Sequence, residues 1–299
     1  MNAIEEIIVP RTRDLSDGFA VRRALPAAAR RTVGPFVFLD EMGPTVQPTG
    51  VGLDVRPHPH IGLATVTWLF AGEILHRDSL GSVQSIRPGE VNWMTAGRGI
   101  VHSERSDAVQ RQQAAPLHGL QCWVALPCDD EECDPDFTHL GADQLPRAEL
   151  AGASAVLVAG SFMGMTAPLP TRSPLFYLQL TLQPGARFSV PSEYPEQALY
   201  LVHGELDLGD EGVHAGGRLL LMRAGISLTV QAGSSGATLM LLGGAVLDGP
   251  RRMVWNFVSH SAARIEQAKR DWISRRFDDV PGETEFIPLP DDLRPVDYP

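Results

Sequence analysis

The stretch Arg56-Pro-His-Pro-His-Ile-Gly62 sets His58 and His60 two residues apart, and His102-Ser-Glu104 repeats the device with an imidazole and a carboxylate. On a β-strand, residues two apart point to the same face. If the two segments are neighbouring strands, His58, His60, His102 and Glu104 converge on one interior point. Such convergence needs short strands wrapped around an interior, and the surrounding sequence supplies them. Ala64–Phe70 closes at Ala71-Gly72, Leu175–Leu182 at Pro184-Gly185, and Thr238–Leu242 at Gly243-Gly244. Short apolar runs bounded by such residues are strand signals. The 29 glycines and 24 prolines favour turns over a helical bundle, so the expected class is all-β, of sandwich or barrel type.

At 299 residues the chain is about twice the usual domain length of roughly 150. An internal repeat divides it. Leu69-x-x-Gly72-Glu73 recurs as Leu201-x-x-Gly204-Glu205, and Met94-x-Ala96-Gly97 recurs as Met222-x-Ala224-Gly225, in the same order. Two copies of one β unit are therefore expected, 1–140 and 141–299, with the boundary in the Pro- and acid-rich segment Pro127 to Pro146. Carried across the repeat, His58 and His60 fall on Val190 and Ser192, and His102 and Glu104 on Val230 and Ala232. The scaffold is duplicated and the chemistry is confined to the N-terminal copy. One helix is expected from Ala262 to Arg276, or about 277, with Ile265, Ala268, Trp272 and Ile273 on one face and Ser259 or Ser261 as its cap. The five prolines from Pro281 onward predict an extended tail over the surface.

Hydrophobic residues at 43% and charged residues at 20% describe a soluble globular protein, and 25 basic against 36 acidic side chains give a net charge of −11. That sign repels phosphate backbones and argues against direct nucleic-acid binding. Glu5 and Glu6 stand where an export signal would be basic, and Ala237 to Leu247 is too short to span a bilayer. No membrane association is expected. Three cysteines, an odd number, suit a reducing cytoplasm rather than a disulfide framework.

Three neutral imidazoles and one carboxylate suit a divalent transition metal such as Fe, Mn, Ni, Cu or Zn. Four protein ligands around a six-coordinate ion leave two positions for reactants, whereas zinc held tetrahedrally by all four would be closed and structural. Around this centre, Phe36, Phe38, Met42, Trp68, Trp93 and Met94 are candidates for an apolar pocket or, equally, plain core. Arg56 and Arg98 flank the ligand pairs as candidate steering charges. His76 and His118 are either outer supports of the ligands or histidines satisfied by backbone. Cys122, Cys128 and Cys133, with Asp129, Asp130, Glu131 and Glu132 among them, lack zinc spacing and read as a solvated loop. The arginines at 251–252 and 275–276 read as surface charge or interdomain pairing.

Several segments together resemble the pirin family of the bicupin superfamily. They are Gly34-Pro-Phe-Val-Phe-Leu-Asp-Glu-Met42, Arg56–Gly62, His76-Arg-Asp-Ser-Leu-Gly81, Met94–Glu104, His118-Gly-Leu-Gln-Cys-Trp123, Trp255-Asn-Phe-Val258 and Glu285-Phe-Ile-Pro-Leu289. The resemblance implies two stacked cupin β-barrels with a C-terminal helix and tail, and a single iron in the N-terminal barrel. By motif its ligands are His58, His60, His102 and Glu104, with Fe(II) placed ahead of Mn, Ni, Cu and Zn. It further implies ring opening of quercetin-type flavonols by O2; Glu104 is the candidate catalytic base, because a ligand that can loosen from a metal can also accept a proton. Family members also act without catalysis: mammalian relatives are nuclear partners of a transcription factor and some bacterial ones bind metabolic enzymes. A non-enzymatic, iron-bound regulator working through a protein partner is therefore the alternative, and a zinc-dependent isomerase or hydrolase a third. One departure stands out. The general cupin glutamate after His-x-His is Ala64 here, and its counterpart in the second copy is Glu196.

Overall fold

The computed structural model describes residues 2–14 and 20–299. They form β-sheets throughout, with one α-helix among the described residues. The chain divides into two compact units, one of Met1–Thr12, Arg23–Phe38 and Asp143–Val246, the other of Arg13–Arg22, Leu39–Ala142 and Leu247–Pro299. The change of unit at 142/143 lies beside the boundary expected at 140, but the units are not consecutive stretches. Strand pairing decides the difference. Ile4–Ile8 pairs with Arg218–Met222 and so joins the later half, while Val296–Tyr298 pairs with Arg251–Val254 and stays with the earlier half. The expected helix consequently belongs with the histidine-bearing unit, not with the second copy. A repeat identifies what is duplicated; it carries no information on where the termini pair.

In the unit that carries the histidines, a four-stranded sheet runs in the order Asp54–His60, Ile100–Arg105, Ile74–Asp78, Val83–Ile86. A second sheet includes Asp136–Leu140, Val91–Thr95, Leu63–Ala71 and Ala115–Ala125, in that order. Trp68 and Trp93 are almost fully buried from this second sheet. The other unit repeats the order: Arg218–Met222, Glu196–Asp207, Leu228–Gly244 and Leu175–Leu182 are successive neighbours. The strand read as Thr238–Leu242 is thus part of a 17-residue strand.

The repeated glycines do the same backbone work in both copies. Gly72 has φ +89° and Gly204 φ +86°. A Cβ on Gly72 would stand 2.2 Å from Pro116 O, and one on Gly204 2.1 Å from Gly236 O. Only glycine accepts both the left-handed φ and the approach of a neighbouring carbonyl.

The helix spans Ala262–Ile273, and Ser261, not Ser259, accepts from Arg264 N at its start. It ends three residues before the predicted Arg276 because Arg275 adopts φ +55°. Arg276 N then donates to Asp271 O and Arg275 N to Trp272 O, a Schellman stop with arginine where glycine is usual. Ile265, Ala268 and Trp272 are buried, but Ile273 is 65% exposed and lies off the packed face. The proline-rich tail is extended and firmly tied: Ile287 N donates to Pro57 O, and Arg105 pairs with Glu283 at 2.7 Å and Glu285 at 2.9 Å. Burial narrows two further expectations. Glu131 and Arg251 are each only 2% exposed, so the acidic segment is not wholly solvated and Arg251 is not surface charge. They pair with each other, 2.8 Å from Arg251 Nε to Glu131 Oε1. No helix among the described residues is long and apolar enough to cross a membrane.

Candidate metal centre

The strands Asp54–His60 and Ile100–Arg105 pair antiparallel, with His102 opposite His58 and Ile100 opposite His60. Between His102 and Glu104 the register shifts, from His58 to Val55 on the facing strand. The extra residue falls around Pro57, which has no N–H to lose from the ladder, and edge or bulge positions are where strands tolerate proline. His58, His60, His102 and Glu104 are all buried.

One nitrogen from each of His58, His60 and His102 lies within 4.8 Å of the others. His60 Nε2 and His102 Nε2 are 3.1 Å apart. Two ligands at right angles on a cation at about 2.0–2.1 Å stand about 2.9 Å from each other. The other nitrogens explain the orientation. His58 Nδ1 donates to Arg56 O at 2.9 Å and His60 Nδ1 to Asn256 O at 3.2 Å. Those carbonyls hold the proton on Nδ1 and leave Nε2 as a lone pair facing its neighbours. Burial lowers His58 to about 4 and takes His60 and His102 well below the usual imidazole value. Neutral imidazoles with converging lone pairs are what a divalent cation requires, so the residues present fit one.

Glu104 follows His102 by two residues on the same strand but is not part of the 4.8 Å group. Gln121 Nε2 donates to its Oε1 at 2.8 Å, and Thr67 reaches the same oxygen at 3.5 Å. Burial raises the Glu104 carboxyl above its usual range. Ala64 is fully buried and offers no second carboxylate. Its counterpart Glu196 accepts from Gly34 N at 2.6 Å, within the other unit.

Other expected residues divide. His76 is an outer support: its Nε2 is 2.9 Å from Asp78 Oδ2 and its Nδ1 3.4 Å from His102 Nδ1. Asp78 is itself held by Leu80 N and Ser82 N, each at 3.0 Å. His118 instead pairs with buried Glu41 at 2.8 Å. Both histidines are thus satisfied by carboxylates, not by backbone. Phe36 and Phe38 belong to the other unit, where Phe36 packs on Tyr177. Met42 sits in a separate apolar cluster with Leu53 and Ile74. Arg98 is a surface partner of Asp134. The wall next to the histidines is Trp123, edge-on to His60 at 5.0 Å, and Phe137, stacked on His76 at 4.3 Å. Gln121, Thr67, Phe137 and Asn256 had no local signal, since each matters only through a partner distant in sequence; Asp78 stands two residues after His76, the same spacing as His102 and Glu104.

A family model described as Pirin matches residues 18–124, and one described as Pirin C-terminal cupin domain matches 177–278. A pirin-like protein of Caulobacter vibrioides is 48% identical over 294 residues, 96% of this chain and 100% of the relative. A pirin-like protein of Solanum lycopersicum is 34% identical over 89% of each chain. Among solved structures, a quercetin 2,3-dioxygenase from Acinetobacter baumannii matches with TM-score 0.87 and 32% identity over 97% of both chains. A bacterial pirin from Escherichia coli, in complex with nickel(II), shares the fold at TM-score 0.62 and 15% identity, over 81% of this chain and 99% of that one.

Proposed function

Because the chain belongs to the pirin family, matched by a family model in each half, we propose that it is a metal-dependent dioxygenase that opens the ring of a quercetin-type flavonol with O2. The observation that carries this is the buried trio His58, His60 and His102, with lone pairs converging and tautomers held by carbonyls. The likeness to a solved quercetin 2,3-dioxygenase supports the substrate class. His58, His60, His102 and Glu104 are the proposed ligands, and Fe(II) the first choice of ion before Mn, Ni, Cu or Zn. The bound ion would supply Lewis acidity and electron transfer at its open positions.

The chain's own residues do the rest. The imidazoles stay neutral near pH 7 because burial disfavours their charged form. Gln121 and Thr67 hold Glu104 Oε1, so Oε2 is the oxygen that would be available to a bound ion or to the proton of a flavonol hydroxyl. Burial raises the Glu104 pKa, which makes that proton easier to take up and hold. Trp123, packed edge-on to His60, keeps water from that side of the ligand.

The test is aerobic assay of Fe(II)-loaded protein with quercetin, following loss of flavonol absorbance against a His58→Ala, His60→Ala control. Loss in the wild type alone is expected. No loss at one metal per chain would replace the enzyme by the metal-bound regulator that acts through a protein partner. Glu104→Gln should retain metal and abolish turnover; unchanged turnover removes Glu104 as the base.

A further inference from the structure

A second constellation lies in the same unit as the three imidazoles. The Cys128 sulfur, a Glu131 oxygen and a His260 nitrogen all lie within 4.8 Å of one another. Spacing around the cysteines conceals this, because the histidine comes from 129 positions beyond Glu131. Ser259 Oγ donates to Glu131 Oε2 at 2.6 Å and His260 N to Oε1 at 2.9 Å, which fastens the histidine to the carboxylate. His260 Nδ1 then stands 2.9 Å from Oε2. Ligands on one cation at about 2.0–2.1 Å are separated by about 2.9 Å at a right angle and about 3.3 Å in a tetrahedron. Cys128 is placed by its own N–H, which donates to Asp248 Oδ2 at 2.9 Å, and Arg251 reaches its sulfur.

Charge argues in the same direction. Arg251, buried, contacts Glu131 at 2.8 Å and Asp248 at 2.5 Å. Two carboxylates and one guanidinium leave one negative charge. A thiolate and a divalent cation together bring the balance to zero, and Arg251 keeps Glu131 Oε1 while Oε2 turns to the ion. His260 is about half exposed, with 49% of its side chain accessible, and gives a route in from solvent.

We propose that Cys128, Glu131 and His260 form a second metal site, for a zinc-class divalent cation, with a fourth position open to solvent. Sulfur, nitrogen and oxygen ligands with one vacancy are a zinc arrangement, and the thiolate gives this site a softer preference than the N3O set of the first. The proposal does not rest on the dioxygenase reading.

Co(II) is the probe, because a cysteine ligand gives a sulfur-to-cobalt charge-transfer band that an imidazole and carboxylate site cannot. Metal-free His58→Ala, His60→Ala protein should take up one equivalent with that band. Adding Cys128→Ser should abolish both band and uptake. Adding His260→Ala instead, a substitution at a half-exposed side chain that does not threaten folding, should weaken uptake at least tenfold. Zn(II) should displace the Co(II) and raise the melting temperature only where all three ligands are present. No band in the histidine-substituted protein, or a band that survives Cys128→Ser, overturns the proposal and leaves the cluster a polar clamp without an ion.

Discussion

The two cupin domains use one strand order for opposite ends. In the N-terminal one, His102 sits opposite His58 across a strand pair and the interior holds imidazoles. In the C-terminal one, Arg187–Val190 pairs with Leu228–Gly244, and Val190, Val230 and Ala232 lie in an apolar cluster with Leu199, Leu220 and Leu241. Scaffold and chemistry are separable. A β interior lined by Val and Ala gains from burial, whereas one lined by neutral histidines bears a desolvation cost unless something occupies their lone pairs.

That contrast can be broken from the N-terminal side first. His58→Ala with His60→Ala, made in a Cys128→Ser background that removes the second proposed site, takes away two of three converging nitrogens, so stoichiometric metal should fall below detection by elemental analysis. Retention of one metal per chain would mean that the trio is not the site. The converse substitution, Val230→His, places an unpartnered imidazole in a closed apolar cluster. It should cost about 2–4 kcal/mol in denaturant unfolding and recruit no metal. A neutral effect would show that the second interior is looser than its packing implies.

Acid sharpens the comparison. The folded chain holds His58 at about 4 against an ordinary 6.5, so it binds fewer protons than the unfolded chain between those values. Metal-free protein should lose stability as pH falls from 6.5 and level off near pH 4, by roughly 3 kcal/mol for His58 alone. The doubly substituted protein should show a flatter curve of melting temperature against pH, and matching curves would refute the assignment. The smallest effect belongs to Asp78, which holds His76 against His102. Asp78→Asn should weaken metal binding roughly 10–100-fold by competition with a chelator while the fold is kept. An unaltered affinity would reduce the Asp78–His76 pair to a structural contact.

Much of this was legible before any coordinates. His-x-His and His-x-Glu carry the strand period of two in the residues themselves, so which side chains share a face needs no tertiary information. The repeat was legible because glycines such as Gly72 and Gly204 answer a local backbone requirement. The helix face was legible up to Ile273. Its stop was not, since a left-handed Arg275 has no compositional mark. For Arg251 the residue type left surface charge and pairing both open, and only its burial beside Glu131 removes the first.

Local chemistry, in the end, was the sequence's share: the all-β class, the duplicated unit, the candidate ligands and the emptiness of their counterparts, all encoded in residue type at short spacing. Contacts between distant segments were decided only by the tertiary structure. These include the Asn256 carbonyl that orients His60, the Gln121 amide on Glu104, the strand partners of the two termini, and the meeting of Cys128 with His260. Each depends on strand pairing and packing across many residues, and no pattern within a few positions records which partner burial will bring.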